Sequence, residues 1–119
     1  MKNSEVFVIL DTNALFMPFK FNLEIEKELA RLLGKYDVVV PRIVIEELEK
    51  MGAKGKAPLA FAKRYKIFDS KEFGDKGIIE VARKTKGIVL TNDRILRKKL
   101  RSLGIKTIFL RGRACLAIG

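Results

Sequence analysis

A chain of 119 residues, 48% hydrophobic and 33% charged, has the size of one ordinary domain and enough apolar material for a core, so a single domain over residues 1–119 is expected. It has no His and one Cys, Cys115, which excludes Ser-His-Asp and Cys-His chemistry, imidazole-shuttled hydrolysis, an internal disulfide and a zinc site of the usual Cys/His kind. The net charge of +11 is confined to the second half, since residues 1–60 hold nine Lys or Arg against nine Asp or Glu, and residues 61–119 hold sixteen against five. A polyanion is the natural partner for that half. The apolar run before Asp11 is too short for a signal-peptide core, and no run approaches bilayer length, which implies a cytoplasmic protein with no membrane segment.

In chain order, VFVIL (6–10) reads as a strand buried on both faces, ending directly at Asp11. NLEIEKELARLLGK, with Leu23, Ile25, Leu29, Leu32 and Leu33 on one side, predicts an amphipathic helix, and DVVV before Pro41 a second strand. RIVIEELEKM predicts a helix closed by Gly52, GAKGK (52–56) an exposed loop, PLAFAKRY a short helix and KIF a brief strand. DKGIIEVARKTK is a helix, GIVLT another buried strand, NDRILRKKLRSLG a helix ending at Gly104, and KTIFL the last strand. Such alternation implies a three-layer αβα domain around a central parallel sheet with right-handed crossovers.

In sheets of that kind, sites lie outside the carboxyl ends of the strands. Asp11 follows the first strand there, and Asp93 follows GIVLT through Thr91 and Asn92. Asp11, Asp75 and Asp93 each stand where a helix could begin, and Asp is a favoured N-cap, which alone would explain any one of them. Capping does not explain why strand, acid and small polar neighbours occur twice, as LDTN and LTND. Crowded carboxylates raise one another's pKa unless cations neutralise them, and hard divalent ions take oxygen ligands. Such an ion acidifies the water it holds, and so offers a His-free chain a route to hydrolysis.

These residues resemble the PIN domains, small α/β metal-dependent ribonucleases related in fold to the flap endonucleases. The resemblance covers essentially the whole chain. LDTNAL is similar to the family's opening motif, with Asp11 as metal ligand; PRIVIEELEKMG to the second, with Glu47; Asp75 with Ile78 and Ile79 to the third; LTNDRILRKKL to the fourth, with Asp93. Where members often carry a further acid two residues beyond that Asp, this sequence has Ile95. Phrasing and spacing are closest to the eukaryotic ribosomal-RNA-processing branch and its stand-alone archaeal relatives. The resemblance implies an endoribonuclease using Mg2+ or Mn2+ held by Asp11, Glu47, Asp75 and Asp93, with Thr12, Asn13, Thr91 and Asn92 as supporting polar residues. It implies RNA as substrate, with ribosome-assembly factors or a cognate antitoxin as protein partners and a homodimer as an assembly. The rival readings are a toxin of a toxin–antitoxin pair and a degenerate PIN domain that binds RNA or serves assembly. A receiver domain ranks below them, because it needs adjacent acids after its first strand, where this chain has DTN.

Helical phase selects one glutamate of three. At about 100° per residue, Val44, Leu48 and Met51 cluster on one side, Glu47 falls on its flank, and Glu46 and Glu49 point away. For the polyanion, Arg94, Arg97, Lys98 and Arg101 recur at helical spacing as a cationic ridge, and Lys54, Lys56, Lys63 and Arg64 are candidates for lining an RNA path. Phe61, Tyr65, Phe68 and Phe73 offer rings to stack on bases, although aromatics at such spacing are more often core.

Overall fold

In β1 (Val6–Leu10) the consecutive residues Val8, Ile9 and Leu10 are all fully buried. Successive strand side chains point to opposite faces, so both faces of the sheet are covered. The computed structural model describes residues 6–119; residues 1–5, part of the stretch read above for a leader, lie outside the described residues. After β1 come α1 (Thr12–Phe21), α2 (Ile25–Leu33), β2 (Tyr36–Pro41), α3 (Arg42–Lys50), a 3-10 turn (Gly52–Gly55), α4 (Lys56–Ala62) and β3 (Lys66–Phe68). The second half adds α5 (Gly74–Thr85), β4 (Ile88–Leu90), α6 (Arg94–Ser102), β5 (Thr107–Arg111) and β6 (Cys115–Ile118). Among the described residues no helix is long and apolar enough to cross a membrane.

The sheet order is β3-β2-β1-β4-β5-β6, parallel throughout except for β6, which pairs antiparallel with β5 through Ile108–Ile118 to Arg111–Cys115. The three-layer αβα architecture holds, and the expectation of a wholly parallel sheet ending at KTIFL is corrected by this added edge strand. β6 is four residues long and follows a tight turn at Gly112, so it shows no period for a sequence reading to catch.

Two further elements depart from expectation. α1 is a helix of ten residues where no element was predicted; Pro18 lies inside it, and residues with strand preference fill it. It forms because Asp11 caps it and because Ala14, Leu15 and Met17 are buried against the core. The segment GAKGK is not an open loop but the 3-10 turn running into α4. A side chain at Gly55 would lie 2.2 Å from the Leu48 carbonyl oxygen, so only glycine lets the turn pack onto α3.

Candidate active site

The strand order reverses its direction of growth between β1 and β4, the point at which doubly wound sheets open a crevice. Leu10 and Leu90 are register partners, so the next residues, Asp11 and Thr91, leave the sheet side by side. Above them is a cleft of about 340 Å³ lined by Asp11, Thr12, Asn13, Glu47, Asp75 and Asp93, with apolar walls from Phe16, Ile43, Met51, Ile78 and Leu96. Four different elements therefore bring the four sequence-predicted acids to one place.

Each acid is held by a local partner. Asp11 is only 7% exposed, and its Oδ1 accepts the Ala14 N–H at 2.8 Å as the cap of α1. Burial pushes its pKa up to about 6; the Thr91 hydroxyl and the Ala14 N–H oppose the rise, and the charges of Asp93 and Glu47 add to it. Asp93 is exposed and caps α6, accepting the Leu96 N–H at 3.0 Å, while its own N–H donates to Thr91 Oγ1 at 3.0 Å. The capping explanation and the shared cleft are thus both true of Asp11 and Asp93, since a cap engages one oxygen of each. Glu47 accepts the Thr12 hydroxyl at 2.5 Å, whereas Glu46 and Glu49 lie outside the cleft lining, as the helical phase required. Asp75 stands in the first turn of α5, with Lys99 Nζ 3.6 Å from its Oδ2.

The four supporting residues stitch the strand ends together. Thr12 ties α1 to α3 through Glu47, and the fully buried Thr91 serves both Asp11 and Asp93. Asn13 Oδ1 accepts the Asn92 N–H at 2.8 Å, and Asn92 Oδ1 accepts the Leu110 N–H of β5 at 2.7 Å. Sequence reasoning missed Lys99, whose partner arrives only through tertiary packing, and the apolar cleft walls, whose spacing is that of ordinary core.

The cations divide. Arg94, Lys98 and Arg101 are exposed along a groove on α6 that also includes Ile95 and Arg97. Arg97, expected in the ridge, instead lays its guanidinium over the Phe109 ring at 4.1 Å, where burial and its cationic neighbours hold its pKa below the usual value. Lys54 and Lys56 are exposed on the turn after α3 and at the start of α4, outside the cleft lining, and Arg64 pairs with Glu26 at 3.3 Å. Of the aromatic candidates, Phe61, Tyr65 and Phe68 pack against the core, and Phe73 does not.

The donor set suits a hard divalent cation. Four oxygen-bearing acids line one cleft, a single lysine pairs with one of them, and one acid is buried at a cost that a counter-charge would offset. Among the described residues no group of three acids stands together as a ready-made set for a metal ion. Mg2+ needs none, because it is held by one or two carboxylates and keeps waters for substrate oxygens to displace.

The fold and the site define a small doubly wound α/β domain with a carboxylate-lined cleft at its switch point. The chain belongs to the PIN-like family: the model described as "PIN like domain" matches residues 8–113. It is 30% identical over 111 residues to Ribonuclease VapC9 of Archaeoglobus fulgidus, an alignment covering 87% of this chain and 82% of that protein. In shape it is similar to the structure of the PIN domain endonuclease Utp24, with a TM-score of 0.86 and 23% identity over 98% of this chain and 92% of the other. A domain of a functionally unknown protein from Methanocaldococcus jannaschii DSM 2661 also matches, with a TM-score of 0.65 and 22% identity over 90% and 92%.

Proposed function

We propose that this chain is a divalent-metal-dependent endoribonuclease that hydrolyses RNA phosphodiester bonds, housed in one PIN-like domain over residues 1–119, and that it acts in the cytoplasm on RNA in ribosomal-RNA processing. The observation that carries the reading is the convergence of Asp11, Glu47, Asp75 and Asp93 on one cleft beside a cationic helix, in a chain without His. The name of the 30%-identical relative, a ribonuclease, supports the substrate class. The four acids would hold Mg2+ or Mn2+ directly or through its waters. When bound, that cation offsets the repulsion between the acids and a phosphate and acidifies water, which no side chain here does near neutral pH.

The chain's own residues do the rest. Thr12 fixes the Glu47 carboxylate, Thr91 holds Asp11 and the Asp93 backbone in one frame, and the Asn13–Asn92–Leu110 bridge keeps the two strand ends from spreading. Lys99 leaves Asp75 less repulsive toward an incoming phosphate. Arg94, Lys98 and Arg101 supply an open groove for neighbouring phosphates, which suits a strand passing through more than an end held in a closed pocket. The test is to incubate the purified protein with structured and single-stranded RNAs in Mg2+, Mn2+ or chelator and to map product ends. Internal cuts that disappear with chelator are expected. No cleavage with either metal, or cleavage indifferent to chelator, refutes the reading.

A further inference from the structure

Six large hydrophobic side chains are exposed among the described residues: Phe19, Met51, Phe73, Ile95, Leu103 and Ile118. One of them lines the cleft, and two more lie next to its lining residues in the chain. Met51 lines it, Phe73 directly precedes the cleft-lining Gly74 and Asp75, and Ile95 lies two residues beyond Asp93. Phe73 is the most exposed of the six, at 77%.

The loop that leads to it is anchored at several points. Arg42 Nε binds Asp69 Oδ1 at 2.5 Å at the start of the loop, and the N–H groups of Lys71 and Glu72 donate to the Glu80 carboxylate at 2.9 and 3.0 Å. The loop also packs so closely on α5 that a side chain at Gly77 would lie 2.6 Å from the Glu72 carbonyl oxygen. A ring in water on a fixed loop is a preorganised binding surface, because little is left to order when a ligand arrives. On α6, Ile95 stands one turn before Lys99, whose ammonium reaches Asp75. Ile95 itself lines the cationic groove with Arg94, Lys98 and Arg101.

We propose that Phe73, exposed where its loop enters α5, is a stacking platform for an unpaired base whose adjoining phosphate lies between the cleft and the cationic groove. The proposal rests on the ribonuclease reading above. Cations beside an apolar rim match a ligand that alternates phosphate and π-face, and a base offers its face to a protein ring only when it is unstacked.

The chain has no Trp, so Phe73→Trp places a single indole reporter at the proposed platform. In chelator, its emission is followed with a single-stranded RNA, the same sequence as a duplex, and inorganic polyphosphate. Quenching by the single strand alone is expected, and Phe73→Ala is expected to weaken single-strand binding at least about fivefold, with Phe73→Tyr restoring it. An unquenched indole while a mobility shift shows the strand bound overturns the platform, as does equal quenching by polyphosphate. Emission that changes with protein concentration alone overturns it in favour of an interface between copies. Cleavage by the unaltered protein in Mg2+ is scored separately. An unquenched indole with intact cleavage removes only the platform, whereas no cleavage removes the ribonuclease reading.

Discussion

The two β–α junctions at the centre of the sheet begin from the same material and end as different devices. At the first, Asp11 follows Leu10 at once, is buried, and opens a helix whose Ala14, Leu15 and Met17 sink into the core. At the second, Thr91 takes the buried place beside Asp11; the acid comes two residues later, exposed, and opens a helix rich in Arg and Lys. One junction thus concentrates negative charge under cover, and the other presents a carboxylate at the edge of a cationic groove. A shift of two residues in where the acid stands relative to the strand end produces the difference.

The largest effect should fall on both junctions equally. Asp11→Asn and Asp93→Asn keep the side-chain shape and the cap, since Asn caps a helix about as well as Asp, but remove an anionic oxygen. Each is expected to lower metal-dependent cleavage by at least about 1,000-fold, roughly 4 kcal/mol in the barrier, with the fold intact by circular dichroism. Near-native cleavage by either variant at saturating Mn2+ would remove that residue from the site.

Stability should then separate the two. Burial raises the Asp11 pKa from 3.8 to about 6, so the native state keeps a proton that the unfolded chain has already released. Its contribution is therefore fully present below about pH 4 and is lost as pH rises through about 6, by on the order of 3 kcal/mol for a shift of about two pH units. In chelator, the melting temperature of the unaltered protein should fall across that window, and Asp11→Asn should flatten the fall and melt higher at about pH 8. Asp93→Asn should keep most of the fall, reduced a little because the Asp93 charge is a lesser cause of the Asp11 rise than burial. An Asp11→Asn curve parallel to wild type would show that the buried charge is not the cause.

Much of this pair of junctions was legible in the sequence, for physical reasons that also mark where reading stops. β1 and β4 are buried on both faces and announce themselves as apolar runs, and α3 and α6 carry one-sided apolar spacing that also fixed the phase of Glu47. α1 was illegible because apolar side chains such as Phe19 also stand on its exposed side, which blurs the period, and because Pro18 argues locally against the helix that tertiary packing imposes. The short edge strand β6 and the tightly packed turn at Gly55 depend on partners that local sequence does not announce. Arg97 was assigned to the ridge by spacing alone, and spacing carries no knowledge of the Phe109 ring beneath it. Phe73 differs from the other aromatics only in what fails to cover it.

Across the cleft from both junctions, Glu47 offers a smaller test. Glu47→Gln is expected to reduce cleavage about tenfold or more, about 1.4 kcal/mol, while Glu46→Gln and Glu49→Gln change it little. Thr12→Val should reproduce part of the loss, smaller than that of Glu47→Gln, by releasing the carboxylate it orients. A damaging Glu46→Gln beside a silent Glu47→Gln would contradict the placement of α3 over the cleft.

The smallest effect sharpens the contrast where it is least obvious, within the helix of the second junction. Lys98 and Arg97 are adjacent and both cationic, yet Lys98 is exposed on the groove while Arg97 is half-buried over Phe109. An exposed cation near a phosphate releases counterions on binding, so removing one such cation from the path of a single strand should flatten the dependence of log affinity on log salt by roughly 0.7. Lys98→Ala and Arg101→Ala should each do so for every RNA sequence tested, with melting temperature unchanged. A guanidinium stacked on a ring acts through packing, so Arg97→Ala should lower stability by on the order of 1 kcal/mol and leave the salt slope nearly alone. The pair is decided by measuring melting and salt-dependent binding on the same variants. If Arg97→Ala flattened the slope as much as Lys98→Ala did, the guanidinium would leave the Phe109 ring for phosphate on binding, and the second junction would present four working cations instead of three.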